Sequence, residues 1–381
     1  MQNRQEYLER VNRLAGLLRD NGMDGAIFTA ESNIAYFSGF RSHAPWMTSA
    51  RPNFMVVSAS GQTAMLGSGF VEPEMRRMSI VSDIRIYGQA NGIPINQIAD
   101  ILREFGMASG AIGMELGYEQ RLDISQLDYL TMTEALKPAR LMDSSHLIWK
   151  LRMIKSRAEI ASIKKACDIT GDAMQACFKA ARPGVSEREL GHIAATTMVS
   201  NGAERPGFVL VTSGAGNYHV MSGKPTDRRL QAGDMLWMDM GAVYDSYWSD
   251  FCRTAYLGKP QPHLDSDQNL ILDVNAAAID TVRVGTPIKD VAMAAVRAFA
   301  KYGIEVKLGQ GRIGHGIGLM STEPPHLAVF EETLCEEGLV FTVEPRFVRE
   351  HGLFNCEEII AVTPNGAEFL TTTPRHITYI N

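Results

Sequence analysis

Four carboxylates and one imidazole, of the kind that bind divalent cations, occur in order along the second half of the chain. They are Asp239, Asp250, His315, Glu344 and Glu357, in the segments MLWMDMGA, YWSDFCRT, GRIGHGIGL, LVFTVEP and FNCEEIIAVT. Carboxylate oxygens with a histidine nitrogen suit Mn, Fe(II), Co or Zn, and a carboxylate can bridge two such ions. A closely spaced pair of cations activates a water molecule and stabilises charge on a substrate oxygen. These residue types therefore predict two divalent metal ions and a hydrolase.

Two pairs of apolar segments are expected to bring these residues together. Residues 235–243 and 247–256 are joined by a short Tyr-Asp-Ser turn, which predicts a β-hairpin with Asp239 and Asp250 on neighbouring strands. Residues 339–343 and 356–362 form a second predicted strand pair, which carries Glu344 and Glu357. His315 lies among glycines, which let the backbone approach a metal site closely because they have no Cβ.

In these segments the chain resembles the pita-bread metalloenzyme family of aminopeptidase P, prolidase, methionine aminopeptidase and creatinase. The resemblance covers the second half and, more weakly, the first half. It implies an α/β N-terminal domain at residues 1–145 and an α+β pita-bread catalytic domain at residues 146–381, in which helices cover a curved antiparallel sheet. It also implies that the five residues are the ligands of two metal ions. Creatinase works without a metal and lacks the complete set, so the intact set indicates a metal-dependent member.

The set of five ligands leads to a hypothesis that gives catalytic roles to three side chains. Glu344 is expected to be the general base that takes a proton from the attacking water. His219, in the segment Gly-Asn-Tyr-His-Val, precedes the first ligand by about the interval at which relatives have a substrate-contacting histidine. His219 and Thr322 are expected to stabilise the oxyanion. The alternative for His219 is an ordinary surface position in a loop.

Three departures from the peptidase pattern bear on the substrate. Aminopeptidase P and prolidase have a second histidine seven residues after the metal histidine, whereas this chain has Thr322, whose hydroxyl donates but carries no positive charge. His326 could replace that histidine only if the turn brings it inward, and the two prolines before it favour an outward position. Asn355 stands where many relatives have arginine, and Arg346 stands where they have glycine.

A predicted loop of the N-terminal domain combines aromatic and cationic side chains. It contains Arg41 and Trp46 within residues 35–46, and Arg51 follows. Arginine binds a carboxylate through two parallel hydrogen bonds, which lysine does less well. In creatinase-like dimers the N-terminal domain covers the partner's active site, so the resemblance implies a homodimer in which these residues bind substrate. The alternative is a surface loop with a half-buried Trp46.

Helix and strand patterns alternate in the first half, which is typical of an α/β layer domain. After an amphipathic helix at the start of the chain, the pattern predicts strands at 25–30, 53–58, 63–67, 83–87 and 111–116, and helices at 95–105 and 124–136. In the second half it predicts one long helix over 150–181, a helix capped by Ser186, and helices at 266–281 and 288–301.

Composition excludes several classes of protein. With 381 residues, 45% hydrophobic residues and a formal net charge of −6, the chain can form two ordinary domains and has no basic run that favours nucleic acid. The sequence contains no stretch of about 20 apolar residues, so it predicts no membrane span. The first residues lack the pattern of a signal peptide. The five cysteines have no paired spacing, which predicts reduced thiols and a cytoplasmic protein.

Three classes of function are compatible with these patterns. The first is hydrolysis of a C–N bond in a small carboxylate-bearing substrate, with an Xaa-Pro dipeptide as the leading candidate and a non-peptide amide of the ectoine or creatine type as the alternative. The second is a metal-dependent lyase acting on dimethylsulfoniopropionate. The third is a binding protein without catalysis. The intact set of five residues argues against the third class, because buried carboxylates are costly to hold together unless a metal neutralises them.

Overall fold

A computed structural model describes residues 4–42, 51–90, 92–306, 308–309 and 311–381, and the chain divides into the units Met1–Arg152 and Met153–Asn381. The first unit contains a mixed six-stranded sheet in the order β4-β3-β2-β1-β5-β6. Its strands are β1 Gly25–Phe28, β2 Phe54–Ser58, β3 Thr63–Ser68, β4 Asp83–Tyr87, β5 Ala111–Met114 and β6 Arg140–Asp143. Strand β1 is antiparallel to β2 and parallel to β5.

The helices of the first unit pack on this sheet. They are α1 Arg4–Asp20, α2 Glu31–Ser38, α3 Glu72–Met78, α4 Ile95–Glu104, α5 Gln126–Ala135 and α6 Ser145–Arg152. Apolar residues of α4 and α5, such as Ile98 and Met132, are fully buried against strand residues such as Val56 and Ile112. This arrangement confirms the predicted α/β layer domain.

Two segments of the first unit differ from the prediction. The segment that begins at residue 35, predicted as a loop, is helical up to Ser38. The helix was missed because α2 is short and its buried residues, 33–38, are consecutive, which gives no helical periodicity in the sequence. The first unit also extends past residue 145 and includes α6. The hydroxyl of Tyr36 donates to the carbonyl of Leu151 at 3.0 Å, and the guanidinium of Arg152 donates to Oδ1 of Asn33 at 2.6 Å.

The predicted long helix over 150–181 is two helices, so that prediction was wrong. Helix α6 ends at Arg152, and α7 covers Arg157–Ala180. Ser156 is the reason for the break: its side chain accepts a hydrogen bond from the backbone N–H of Glu159, whose carboxylate accepts from the backbone N–H of Ser156. This capping box fixes a helix start where apolar spacing alone suggested continuity.

The second unit contains sheets in which most neighbouring strands are antiparallel, and these sheets carry the candidate metal ligands. Its strands are β7 Arg205–Ser213, β8 Met235–Tyr244, β9 Tyr247–Trp248, β10 Phe251–Leu257, β11 His315–Gly316, β12 Glu323–His326, β13 Val340–Val343, β14 Arg346–Arg349, β15 Gly352–Asn355, β16 Glu358–Thr363, β17 Gly366–Phe369 and β18 Thr378–Ile380. The order is β18-β10-β8-β7 in one sheet, with β9 on β8, and β12-β11-β13-β16-β17 in another, and β14 pairs with β15.

Helices cover both faces of these sheets. Helices α7 and α8 (Glu187–Ser200) contribute to one apolar core, and α9 (Pro262–Ile279) and α10 (Ile288–Lys301) contribute to the other. Strand β8 lies between the cores, because Met235 and Trp237 belong to one core and Leu236 and Met238 to the other. The α+β architecture predicted for the second half is thus confirmed. No helix among the described residues is long and apolar enough to cross a membrane.

Candidate functional site

The five candidate ligands, which we call the carboxylate–histidine cluster, lie on strands or at strand ends. Asp239 is within β8, and Asp250 immediately precedes β10, which pairs with β8 so that Cys252 is opposite Asp239. His315 begins β11, Glu344 follows the last residue of β13, and Glu357 precedes β16. Both predicted strand pairs, β8 with β10 and β13 with β16, are therefore present and antiparallel.

Side-chain atoms of the cluster approach one another closely. One ligand atom from each of Asp250, His315 and Glu357 lies within 4.8 Å of the other two. Nε2 of His315 is 3.7 Å from Oδ2 of Asp250 and 3.8 Å from Oε1 of Glu344. The charge of Asp239 acts on both Asp250 and Glu357. The geometry thus brings together oxygen and nitrogen atoms at separations that a common cation could fill.

Burial raises the pKa of every carboxyl group in the cluster, and repulsion between carboxylates adds to the rise for Asp239, Asp250 and Glu357. Burial, with the charge of Glu344, raises the pKa of Asp239 to about 7. Burial, followed by the charges of neighbouring cluster carboxylates, raises the pKa of Asp250 and of Glu357 well above the usual range. Burial also raises the pKa of Glu344, against the opposing charges of Arg346 and Arg312.

The imidazole of His315 presents an unprotonated nitrogen to these carboxyl groups. Its Nδ1 is 3.0 Å from the carbonyl oxygen of Gly316, which can only accept, so Nδ1 carries the proton. Burial lowers the pKa of His315 to about 4, and the ring is therefore neutral near pH 7. The lone pair of Nε2 then faces Asp250 and Glu344, as in a histidine that binds a metal.

The cluster fits a divalent cation. Oδ1 of Asp239 and Oε1 of Glu357 are buried and have no hydrogen-bond partner among the residues that the structure describes. A buried polar atom without a partner is costly, and several buried carboxylates facing one another cost more. Hard oxygen donors with one neutral imidazole are the ligands that Mn, Fe(II), Co and Zn accept.

Two side chains near His315, those of Arg312 and His326, form a hydrogen-bonded pair that the sequence did not reveal. Nη1 of Arg312 is 2.7 Å from Nδ1 of His326, and His326 is opposite His315 in the β11–β12 ladder. His326 is only 3% exposed, so the expectation that the two prolines hold it outward was wrong. Because Pro324 and Pro325 lie within β12 itself, the strand pairing brings His326 back toward β11. The available sequence signal for this contact was the cationic residue three positions before His315.

The two other departures from the peptidase pattern adjoin Glu344. Nη1 of Arg346 is 3.1 Å from Oε2 of Glu344, and the Arg346 side chain is 43% exposed, so it lies at the border of the cluster. Asn355 is buried, and its amide donates to the carbonyls of Glu344 and Pro345 at 3.1 and 3.0 Å. Its Oδ1 accepts from the thiol of Cys252. Arg346 thus contacts the cluster directly, whereas Asn355 contacts its backbone.

The remaining predicted site residues are not part of the cluster. His219 is exposed between β7 and β8, and the described residues show no hydrogen bond or ion pair that joins it to the cluster. Thr322 is half-buried just before β12. In the first unit, Arg41 is half-buried and Arg51 is exposed, while Trp46 lies outside the described residues.

Comparison with known proteins agrees with this architecture. Residues 161–364 match metallopeptidase family M24, and residues 10–154 match the creatinase/prolidase N-terminal domain. An Xaa-Pro dipeptidase of Pyrococcus horikoshii is 28% identical over 370 residues, which cover 97% of this chain and 98% of the relative.

Solved structures give the same result. The Xaa-Pro dipeptidase from Bacillus anthracis superposes with a TM-score of 0.86 at 25% identity, covering 98% of this chain and 100% of the other. A dipeptidase from Pyrococcus horikoshii superposes with a TM-score of 0.85 at 26% identity, covering 97% and 100%. Since the M24 match extends over more than half of its length, this chain belongs to metallopeptidase family M24.

Proposed function

We propose that this protein is an Xaa-Pro dipeptidase that uses two divalent metal ions held by the carboxylate–histidine cluster. The observation that carries the proposal is the cluster itself, in which buried carboxylates surround Nε2 of His315, and Oδ1 of Asp239 and Oε1 of Glu357 have no hydrogen-bond partner among the described residues. The nearly full-length similarity to the Xaa-Pro dipeptidase of Pyrococcus horikoshii supports the choice of substrate.

In this proposal Asp239, Asp250, His315, Glu344 and Glu357 hold the ions, which are Mn, Co, Zn or Fe. Bound cations lower the pKa of water and polarise the carbonyl group of the substrate. The side chains supply the proton transfers and the positioning. Glu344 takes a proton from the attacking water, and Arg346, 3.1 Å from Oε2 of Glu344, holds that carboxylate in place.

Donors for the substrate come from outside the cluster. His219 and Thr322 are proposed to donate hydrogen bonds to the oxyanion, which requires the exposed ring of His219 to turn toward bound substrate. Arg312, which donates a hydrogen bond to Nδ1 of His326, supplies positive charge beside His315, where a substrate carboxylate would be attracted. Arg346 is a further cation for such a carboxylate.

The first unit is proposed to complete the site in a homodimer. Arg41, Trp46 and Arg51 would then bind substrate in the active site of the partner subunit. Two measurements test this point: sedimentation should show a dimer, and Arg51→Ala should raise KM for the dipeptide with little change in kcat. A fully active monomer would contradict it.

A second candidate, hydrolysis of a small non-peptide amide, is favoured by Thr322. The half-buried threonine occupies the position at which the peptidases have a second histidine, so one donor that could carry positive charge is replaced by a neutral hydroxyl. Such a donor contributes about 3–4 kcal/mol to transition-state stabilisation in comparable oxyanion sites. A screen that includes ectoine-type and creatine-type amides alongside dipeptides separates the two candidates.

The decisive experiment begins with metal-free protein. Added Mn, Co, Zn or Fe should restore hydrolysis of Xaa-Pro dipeptides, and longer Xaa-Pro peptides should be cleaved more slowly. Asp250→Ala should bind about one metal equivalent less, while the exposed Asp280→Ala serves as a matched control that keeps the full amount. Full activity of the metal-free protein would overturn the proposal.

A further inference from the structure

Asn275 is a polar residue on the apolar side of helix α9. It is completely buried, and the neighbouring buried residues of the helix, Ile271, Val274 and Ala278, belong to an apolar core. A buried amide in such a stripe is costly unless its hydrogen bonds are made. The partners of Asn275 therefore indicate why the sequence has an amide there.

The amide of Asn275 joins the two backbone segments that carry the glutamates of the cluster. Its Nδ2 donates to the carbonyl of Val343 at 3.0 Å and to the carbonyl of Cys356 at 2.8 Å. Val343 immediately precedes Glu344, and Cys356 immediately precedes Glu357. One side-chain nitrogen thus holds the residue before each glutamate.

These bonds lie where the β-ladder can no longer hold the strands together. The last residue pair of the β13–β16 ladder is Val343 with Glu358, so the chain leaves regular pairing at Glu344 and Glu357. The carbonyl oxygens of Val343 and Cys356 accept hydrogen bonds from both N–H groups of the Asn275 amide. Asn275 thus links the two segments by hydrogen bonds where backbone pairing ends, next to Glu344 and Glu357.

A second side chain fixes the direction in which this amide points. Nη2 of Arg375 donates to Oδ1 of Asn275 at 2.9 Å, so Oδ1 is the acceptor and both hydrogens of Nδ2 are directed at the two carbonyls. Arg375 also pairs with Glu358, with its Nε 2.9 Å from Oε1. The orientation of Asn275 is therefore determined by its own network.

We infer that Asn275 is a positioning residue that sets the spacing of Glu344 and Glu357 for metal binding, an inference that rests on the proposed function. Side chains that orient metal ligands without touching the metal commonly change metal affinity or activity 10–100-fold when replaced. Asn275 contacts no reacting atom in this assignment. Its effect passes through the two carbonyls.

Two apolar replacements on the same helix test the inference. Asn275→Leu removes the amide, and Gln268→Met is the matched control, because Gln268 is also buried on α9 but donates to the carbonyl of Arg375 at 2.6 Å. Each variant should lower Tm, since each removes a buried hydrogen-bonding group. Only Asn275→Leu should raise the dissociation constant of Mn²⁺, by about 10–100-fold in titration of the metal-free protein.

Kinetics provide a readout that a structural role alone would not change. With Mn²⁺ in excess, Asn275→Leu should lower kcat for the dipeptide and leave KM unchanged, whereas Gln268→Met should alter neither. If Asn275→Leu does not fold, Asn275→Ser keeps one donor and should show a smaller rise in the Mn²⁺ dissociation constant.

The outcomes separate this inference from the proposed function. Unchanged Mn²⁺ affinity in a folded Asn275 variant, or the same loss in both α9 variants, overturns the inference alone. An unaltered protein that binds Mn²⁺ but does not hydrolyse dipeptides overturns the proposed substrate, and the Mn²⁺ titrations still decide the role of Asn275. An unaltered protein that binds no metal overturns both.

Discussion

Both units contain buried carboxyl groups, but the hydrogen-bond environments of these groups differ between the two units. In the first unit, Glu115 is 1% exposed just after β5, and its two oxygens accept hydrogen bonds from the backbone of Thr29 and Ala30 and from the side chains of Thr29 and Asn33. In the second unit, buried carboxylates face one another, and Oδ1 of Asp239 and Oε1 of Glu357 have no donor in the described part of the chain.

This comparison indicates that the hydrogen-bond donors around a buried carboxyl group, rather than its burial, distinguish a structural role from a binding role. Glu115 accepts from residues at the start of α2, where backbone N–H groups have no partner within the helix, so its carboxylate acts as a cap for that helix. In the carboxylate–histidine cluster Arg346 donates to Glu344, but Oδ1 of Asp239 and Oε1 of Glu357 lack a donor among the described residues, so a cation would offset the remaining charge. Glu115 therefore stabilises the first unit, whereas the carboxylate–histidine cluster is the candidate binding site.

The largest expected effect comes from Glu344→Gln. The glutamine keeps the shape of the side chain but cannot accept the proton of the attacking water, so kcat should fall about 10²–10⁴-fold. Far-UV circular dichroism should show an unchanged fold, because the change removes a buried carboxylate rather than an apolar contact. A variant with near-normal kcat would show that Glu344 is not the general base.

Replacement of Glu115 by leucine should act on stability instead of activity. The change leaves the backbone N–H groups of Thr29 and Ala30 and one N–H of the Asn33 amide without an acceptor, and each unsatisfied buried group costs about 1–3 kcal/mol. We expect the free energy of unfolding of the first unit to fall by about 3 kcal/mol or more. Urea denaturation measures this value, and an unchanged midpoint would contradict the capping role.

Added metal should raise the stability of the second unit, whereas the Glu115 replacement lowers that of the first. Mn²⁺ at 100 times its dissociation constant should raise the free energy of unfolding by about 2.7 kcal/mol, provided that the unfolded chain does not bind it. Thermal denaturation with and without Mn²⁺ measures the rise in Tm. Asp250→Ala should remove most of the shift, and Glu115→Gln should preserve it. Equal shifts in the two variants would show that the metal binds elsewhere.

The smallest expected effect is the pH dependence that Glu115 contributes. Burial raises the pKa of Glu115 to about 7, against the opposing effect of the hydrogen bonds from Asn33 and Thr29. A raised pKa in the folded state means that this protein binds the proton more tightly when folded, so the contribution is complete below the unfolded pKa and is lost as pH rises toward 7.

Between about pH 5.5 and 7, this loss should amount to about 2 kcal/mol, since one pH unit corresponds to 1.36 kcal/mol per proton. The measurement is the difference in unfolding free energy between the unaltered chain and Glu115→Gln across that range. The difference should shrink as pH rises, and a difference that grows would mean that the hydrogen bonds outweigh burial.

Much of the fold was predictable because it depends on local patterns. The hairpin that carries Asp239 and Asp250, the pairing of β13 with β16 and the helix Ile288–Lys301 follow from apolar periodicity and turn residues. Prediction failed where a single local interaction overrides periodicity. The capping box of Ser156 divides the predicted long helix, and the fully buried α2 has no periodicity to detect.

The candidate site shows the same division. The types and order of the five clustered residues were readable from their segments, and so were the departures at Thr322, Arg346 and Asn355. The roles of Arg312 and Asn275 were not readable. Their partners lie 14, 68 and 81 residues away in the chain, and only strand register and helix packing bring them together.

The side-chain chemistry available to this protein can be read from its sequence, because candidate metal ligands are recognised by residue type and by the predicted strands that carry them. How these side chains are supported depends on contacts that exist only in the folded chain. Whether a buried acid such as Glu115 or Glu357 receives donors from the chain depends on which backbone groups the fold leaves unpaired beside it. That outcome is set by contacts between distant segments, which no local pattern encodes.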